Sequence, residues 1–319
     1  MSLAAQIRAG ERRALAQAIT LVESTRPDHR EEAVALLDDL MPDTGHALRV
    51  GISGAPGAGK STFIEALGLQ LVERGTKLAV LAVDPSSTRS GGSILGDKTR
   101  MEQLARNENV FIRPSPSGGT LGGVARRTRE AMLLTEAAGC DAVIVETVGV
   151  GQSEVTVASM VDVFVLLLAP AGGDELQGVK RGIVEVADIV VVNKADGDLA
   201  NTAKQTAAEY ANALHVVRTE PVPVLTCSAL TGEGIAAVWD AAASFVENAE
   251  ASGARAERRA EQAKQWMWSE ISDTLIERFR NDPEIRAAIA ALEADVASGR
   301  MSPSAAARQM LAKRTLSGD

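Results

Sequence analysis

The sequence predicts an α/β protein built on a doubly wound, mostly parallel sheet. Three observations carry this expectation. Short β-branched runs alternate with longer helical ones from Leu48 onward. Runs such as Val143-Ile-Val145 and Ile189-Val-Val-Val192 are apolar on both faces, as strands sandwiched between helices must be. A glycine-rich turn, Gly54-Ala55-Pro56-Gly57-Ala58-Gly59-Lys60-Ser61, opens a helix directly after the apolar run Leu48–Ile52.

Ahead of the sheet, Leu15, Ile19 and Val22 recur at helical spacing, as do Ala33, Leu36, Leu37 and Leu40. Arg26-Pro27-Asp28 separates the two sets, so a helical hairpin is expected, ending near Met41-Pro42. The predicted strands are Leu48–Ser53, Lys77–Asp84, Asn109–Arg113, Ala142–Glu146, Val163–Leu168, Ile189–Asn193 and Val222–Thr226. After Phe245 the composition shifts to Ala, Glu, Arg and Gln, with Trp268, Ile271, Leu275 and Phe279 on one helical stripe. Asn281-Asp282-Pro283 stops that helix and caps the next, whose stripe is Ile285, Ile289, Leu292 and Val296 before Gly299. Ser302-Pro303 starts a last short helix. The chain thus divides into an N-terminal helical extension (1–46), a P-loop domain (47–247) and a C-terminal helical arm (248–319). The arm either packs back on the sheet or extends to grip a second copy, since a long Ala-rich helix carrying two tryptophans cannot bury its stripe alone.

With 319 residues and 45% apolar content, the chain can bury one sizeable core plus appended elements. A net charge of -9 with only 5 Phe, 3 Trp and 1 Tyr argues against a nucleic-acid surface, which needs basic stripes or stacking platforms. The stretch Val161–Ala171 is interrupted by Asp162 and is too short to span a bilayer, and the first residues lack an apolar signal core. A cytoplasmic location away from membranes is therefore expected. Cys140 and Cys227 stand in no metal-binding or redox spacing and read as core thiols. His29, His46 and His215 are scattered.

Phosphate oxygens need several donors at once, and a glycine-rich turn running into a helix N-terminus supplies backbone N–H groups at the positive end of a dipole. Gly54, Gly57 and Gly59 let the backbone approach, with Ala55, Pro56, Ala58 and Thr62 completing the cradle. Lys60 is placed to reach the terminal phosphates and Ser61 to ligate magnesium. Magnesium also takes carboxylates, directly or through water. Asp84, Asp97 and Glu146 stand at strand ends or in the loops that follow, with Asp97 the weakest of the three on spacing alone. Glu146-Thr-Val-Gly149 has the form of a γ-phosphate-sensing turn with Glu in place of the usual Asp. Lys60, Asp97 and Glu146 are the expected catalytic set.

Guanine presents N1–H and an exocyclic amine side by side, so one carboxylate can accept both. Asp196 of Asn193-Lys194-Ala195-Asp196 is that carboxylate. Asn193 holds the loop and approaches the base edge, Lys194 covers the base with its stem, and Ser228, Ala229 and Leu230 follow a later strand to offer backbone N–H to the guanine oxygen. The expected ligands are GTP and GDP with magnesium.

On these residues the chain resembles the bacterial MeaB/ArgK-like GTPases, relatives of the methylmalonic aciduria type A protein. The resemblance also includes Ala9–Ala16, Val83–Thr88, Gly91–Met101 and Glu146–Glu154; the last two strings are far more specific than the nucleotide motifs. It implies a GTP-hydrolysing chaperone of an adenosylcobalamin-dependent acyl-CoA mutase, most often methylmalonyl-CoA mutase. An adenosyltransferase is then the source of the cofactor, and the C-terminal arm forms a homodimer. It further implies that Ala169–Lys180 is an additional switch loop, with Asp174 and Lys180 as signalling charges; the residues themselves show only a Gly-Gly hinge.

Val150 stands where Ras-like proteins carry a water-orienting Gln, so slow intrinsic hydrolysis is expected, with Gln152, Glu154, Lys98 or Arg100 aligning water once a partner docks. Three other readings compete. Nickel-delivering GTPases carry His- or Cys-based metal sites that this chain lacks in sequence. A kinase acting on a transport binding protein would need ATP, against which Asp196 argues. A scaffold that only binds nucleotide would show no turnover.

Overall fold

The computed structural model describes residues 1–83, 101–114, 121–147, 153–170 and 181–315. Three helices open the chain: α1 (Leu3–Arg8), α2 (Arg12–Glu23) and α3 (Pro27–Leu40). The expected hairpin is α2 and α3, with Leu15, Ile19 and Val22 of the first and Ala33, Leu36 and Leu40 of the second buried. Helix α1 is too short for its period to show in sequence. Ser2 caps it by accepting from the Ala5 N–H, and Arg8 ties it to Asp39 and Asp43.

Seven strands follow: β1 (Leu48–Ser53), β2 (Leu78–Val83), β3 (Val110–Arg113), β4 (Ala142–Thr147), β5 (Val163–Leu168), β6 (Ile189–Val192) and β7 (Val224–Thr226). They form one sheet in the order β3-β2-β4-β1-β5-β6-β7, and every pairing is parallel. Between them run α4 (Lys60–Glu73), α5 (Glu102–Ala105), α6 (Leu121–Ala137), α7 (Ser153–Ala158), α8 (Arg181–Val186) and α9 (Ala200–Val217), with α10 (Ile235–Ala251) after β7. Phe63, Ile64, Leu67 and Leu71 of α4 pack with Val50, Ile52, Val80 and Ile144 of the central strands, all essentially inaccessible. Each such side chain contributes about 1.5–3 kcal/mol on burial. Strand β1 is the topological switch point, with β2 to β4 on one side and β5 to β7 on the other. A ligand crevice therefore opens at its carboxyl end. Ile52 pairs with Glu146 and Ala82 pairs with Glu146, so β1, β2 and β4 end in step.

The opposite end of the sheet is closed by charge. Arg49 of β1 donates its guanidinium to Glu136 of α6 at 2.6 and 2.9 Å, and both residues are buried. Asp162, just before β5, accepts from the Arg49 N–H at 3.0 Å and from Arg259 Nε at 2.7 Å. Burial alone would raise the Asp162 carboxyl, but the hydrogen bond and charge of Arg259, the Arg49 N–H and the nearby Arg255 outweigh it and hold the group below its ordinary value. Arg255 and Arg259 lie in the first turns of α11 (Ala254–Asn281), and Gln262 donates to the Val161 carbonyl at 2.9 Å. The root of that helix is thus fastened to the strand bases.

The chain forms two compact units, Met1–Gln262 and Ala263–Asp319, and the division falls inside α11. The second unit holds the rest of α11 with α12 (Pro283–Ala297) and α13 (Pro303–Thr315). Asp282 caps α12 by accepting from the Glu284 and Ile285 N–H groups, with Pro283 at the first position, as the sequence indicates. Ile285 and Leu292 are buried, whereas Trp268 and Leu275 of α11 are 62% and 52% exposed. Among the described residues no helix is long and apolar enough to cross a membrane.

Candidate nucleotide site

At the carboxyl end of β1 the chain turns through Gly54 and enters α4 at Lys60, with Gly59 as its N-cap. A Cβ at Gly54 would stand 2.1 Å from the Leu167 carbonyl oxygen of β5, so the loop closes against the neighbouring strand only because no side chain is there. Pro56, Gly57 and Thr62 are exposed, Ala55 is half-buried and Ala58 is buried. Lys60 is buried and donates to the carbonyls of Gly54 at 2.7 Å and Ala55 at 3.2 Å. Its ammonium therefore sits inside the curl of the loop. The first N–H groups of a helix have no acceptors within that helix, and the positive end of α4 at Lys60 is thus of the kind that favours an anion.

Ser61 donates its hydroxyl to Glu146 Oε1 at 3.2 Å. Glu146 is buried at the end of β4, and its neighbour Thr147 donates to Ser53 Oγ at 2.7 Å, locking β4 to β1 just before the glycine turn. A hydroxyl and a carboxylate in contact are the hard oxygen donors that magnesium accepts while it keeps several waters and takes phosphate oxygens. The residues present fit that ion. Among the described residues no cluster of three or more His, Cys, Asp or Glu side chains forms a protein-only metal cage. Asp84, Asp97, Lys98, Arg100, Gly149, Val150, Gln152, Asp174 and Lys180 lie outside the described residues. Glu154, in the first turn of α7, is buried.

The second half of the site lies at the carboxyl end of β6. Asn193 is 1% exposed and spends its amide on holding the loops: Nδ2 donates to the Ala58 carbonyl at 2.9 Å, and Oδ1 accepts from the Ala229 N–H at 3.0 Å. A Cβ on Gly59 would lie 2.6 Å from Asn193 Nδ2, so the phosphate loop and the base loop touch at a glycine. Lys194 is exposed and takes φ +57°, the one non-glycine residue with positive φ among those described. A left-handed backbone on a long side chain is strained, and such strain concentrates at functional loops. Asp196 accepts from Ser228 Oγ at 2.5 Å, and that same oxygen accepts from the Thr231 N–H at 3.1 Å. The structure therefore brings Asn193, Asp196, Ser228 and Ala229 together, with Leu230 80% exposed beside them.

One detail differs from the expectation drawn from sequence. The Ser228 and Ala229 N–H groups, expected at a guanine oxygen, are engaged with the Glu233 carbonyl and Asn193 Oδ1. Buried backbone donors find partners within the protein when none is supplied from outside. Cys227 is the buried core thiol that its sequence spacing indicates, and its Sγ also lies 3.6 Å from Asn193 Oδ1, with its backbone N–H and carbonyl bonded to Val192 and Ala195. Only its place directly before Ser228 could have signalled this.

A glycine cradle at the switch point of a parallel sheet, with an Asn-Lys-Ala-Asp loop against it, defines a P-loop GTPase, a hydrolase that binds guanine nucleotide. The family model described as methylmalonyl Co-A mutase-associated GTPase MeaB matches residues 15–284. The chain belongs to this MeaB family. It is 51% identical to GTPase ArgK of Escherichia coli over 87% of this chain and 85% of that protein. It is 52% identical to a mouse protein named methylmalonic aciduria type A homolog, mitochondrial, over 95% of this chain and 76% of the relative. Among solved structures it is similar to one described as LAO/AO transport system kinase, with a TM-score of 0.77 and 41% identity, covering 98% of this chain and 96% of that one.

Proposed function

We propose that this GTPase is a chaperone of an adenosylcobalamin-dependent acyl-CoA mutase, most simply methylmalonyl-CoA mutase, and that it gates cofactor loading and helps to reactivate the enzyme. The single observation that carries this reading is the match of residues 15–284 to a family described as mutase-associated. The relative named for methylmalonic aciduria, at 52% identity, supports it.

In the proposed cycle the loop 54–61 wraps the phosphates of GTP. Lys60 leaves its carbonyl partners at Gly54 and Ala55 for the terminal phosphates, where its charge offsets that of the leaving group. Ser61 and Glu146 would hold magnesium, with Asp84 and Asp97 supplying further carboxylates, and the ion would supply charge neutralisation of the phosphate oxygens. Asp196 accepts the two guanine donors while Ser228 fixes its carboxylate from behind. Loss of the γ-phosphate removes contacts at the sensing turn, and loop populations shift accordingly. Turnover is slow until a partner orders the loops.

The exposed stripe of Trp268, Ile271 and Leu275 supports a homodimer formed through the C-terminal arm, residues 248–319. Cytoplasmic residence, and delivery of cofactor from an adenosyltransferase, belong to the same proposal.

The test is co-purification of the chain with methylmalonyl-CoA mutase in the presence of a non-hydrolysable GTP analogue and magnesium, alongside GTP turnover with and without the mutase. Nucleotide-dependent capture and faster turnover are expected. Equal turnover in both conditions together with no capture would remove the chaperone reading.

A further inference from the structure

Asn193 is the hinge pin of the site, because one amide holds the phosphate loop through Ala58 and the base loop through Ala229. An amide can hold both only in one orientation. Rotating it by half a turn would point its NH2 at the Ala229 N–H, donor against donor, and leave its oxygen facing the Ala58 carbonyl. A second donor on the oxygen side would reinforce the correct orientation. The Cys227 thiol is in that place, 3.6 Å from Asn193 Oδ1 and buried to 2% exposure.

We propose that Cys227 is a positioning residue of the guanine-nucleotide pocket, whose S–H donates to Asn193 Oδ1 and so fixes the side chain that ties the base loop to the phosphate loop.

Three observations fit a structural donor rather than a reactive thiol. Burial pushes the Cys227 thiol up to about 12, so it keeps the proton it donates. Its backbone is pinned on both sides, the N–H to the Val192 carbonyl at 2.9 Å and the carbonyl to the Ala195 N–H at 2.9 Å, so its Cα is fixed between β6 and the base loop that Asn193 begins. The backbone of Gly234 packs closely on this segment: a Cβ there would lie 2.5 Å from the Thr226 carbonyl oxygen and 3.1 Å from Cys227 Cα, so Cys227 sits in a crowded interior with no room for a bulky reagent. A thiol is a weak donor, and its contribution is accordingly one of orientation shared between two loops.

The proposal rests on the guanine-nucleotide pocket as drawn above, and the test separates the two. Dissociation rates of fluorescent GDP and of a GTP analogue are measured for the wild-type chain and for Cys227→Ser, Cys227→Ala and Cys227→Val, with the thermal midpoint of each. A merely structural role ranks the variants by stability, with the apolar Val and Ala tolerated in the core and Ser penalised for a buried hydroxyl. A positioning role ranks them by donor. Cys227→Ala and Cys227→Val are expected to release both nucleotides about three- to tenfold faster. Cys227→Ser is expected to stay within about twofold of wild type even where it melts earlier. Unchanged release from Ala and Val, or Ser losing as much as Val, overturns the proposal while leaving the pocket intact. A wild-type chain that binds neither nucleotide overturns the pocket reading and this one with it.

Discussion

Ser61 on the first turn of α4 and Glu146 at the end of β4 meet at 3.2 Å across 85 positions of sequence. The contact exists because β1 and β4 are neighbours in register, with Ile52 opposite Glu146, so the helix that follows β1 starts beside the strand end that carries the acid. Both side chains are hard oxygen donors, and their contact sets the first prediction. Ser61→Ala and Glu146→Gln are each expected to lower magnesium-dependent GTP hydrolysis by about a hundredfold. GDP affinity measured in EDTA should change little, because the phosphate loop remains. Hydrolysis assays with and without the metal check this, and activity that survives chelation would count against a magnesium role for the pair.

The base loop makes a sharper prediction. Ser228 Oγ donates to Asp196 at 2.5 Å and so holds the carboxylate proposed to accept the two guanine donors. Asp196→Asn replaces one acceptor oxygen by a donor, which opposes the guanine N1–H and amine but suits the second carbonyl of xanthine. GTP affinity is expected to fall at least about tenfold, with XTP gaining in proportion. Calorimetric titration of both nucleotides, with ATP as a third arm, distinguishes a guanine site from the nucleotide preference of an ATP-using kinase.

Gly54 is set by sterics. With a Cβ only 2.1 Å from the Leu167 carbonyl oxygen, Gly54→Ala cannot be accommodated without moving backbone of either β1 or β5. The expected cost is about 3 kcal/mol, read as a lower midpoint in urea unfolding. Nucleotide binding should weaken as well, since the loop starts from that contact.

The base of the sheet carries a pH signature. Asp162 has a folded-state pKa below its ordinary value, so the unfolded chain binds its proton more readily than the folded one. The stability it contributes is therefore present above the ordinary carboxylate value and is lost as pH falls through the depressed one. Asp162→Asn should flatten the acid limb of the stability profile. Asp162→Ala should cost about 3 kcal/mol at neutral pH, because the half-buried Arg255 and Arg259 then lose their carboxylate. Denaturant titrations across the acid range measure both.

Much of this molecule is legible in its sequence for a local reason. The double-sided apolar runs fix where strands lie, since a strand covered by helices on both faces is apolar along most of its length and carries a polar residue only where a partner meets it, as at Arg49 and Glu146. All seven expected strands are present, with ends that shift by up to two residues, as at β7, which starts at Val224 rather than Val222. The turn 54–61 and the string 193–196 are likewise local, because the chemistry of binding a phosphate or a guanine demands particular residue types at short spacing. Helix α1, six residues long, fell below the length at which a period becomes visible.

What the sequence by itself determined is thus the kind of element at each position and the ligand chemistry that each loop can offer. Only the tertiary structure decided which loops meet. Asn193 reaches Ala58 across 135 positions, Cys227 turns to Asn193 across 34, and Arg259 closes on Asp162 across 97. None of these pairs leaves a periodic trace, because each depends on strand order and on the path of the crossovers. Those are set by how whole helices and strands pack, and no short window of residues contains that information.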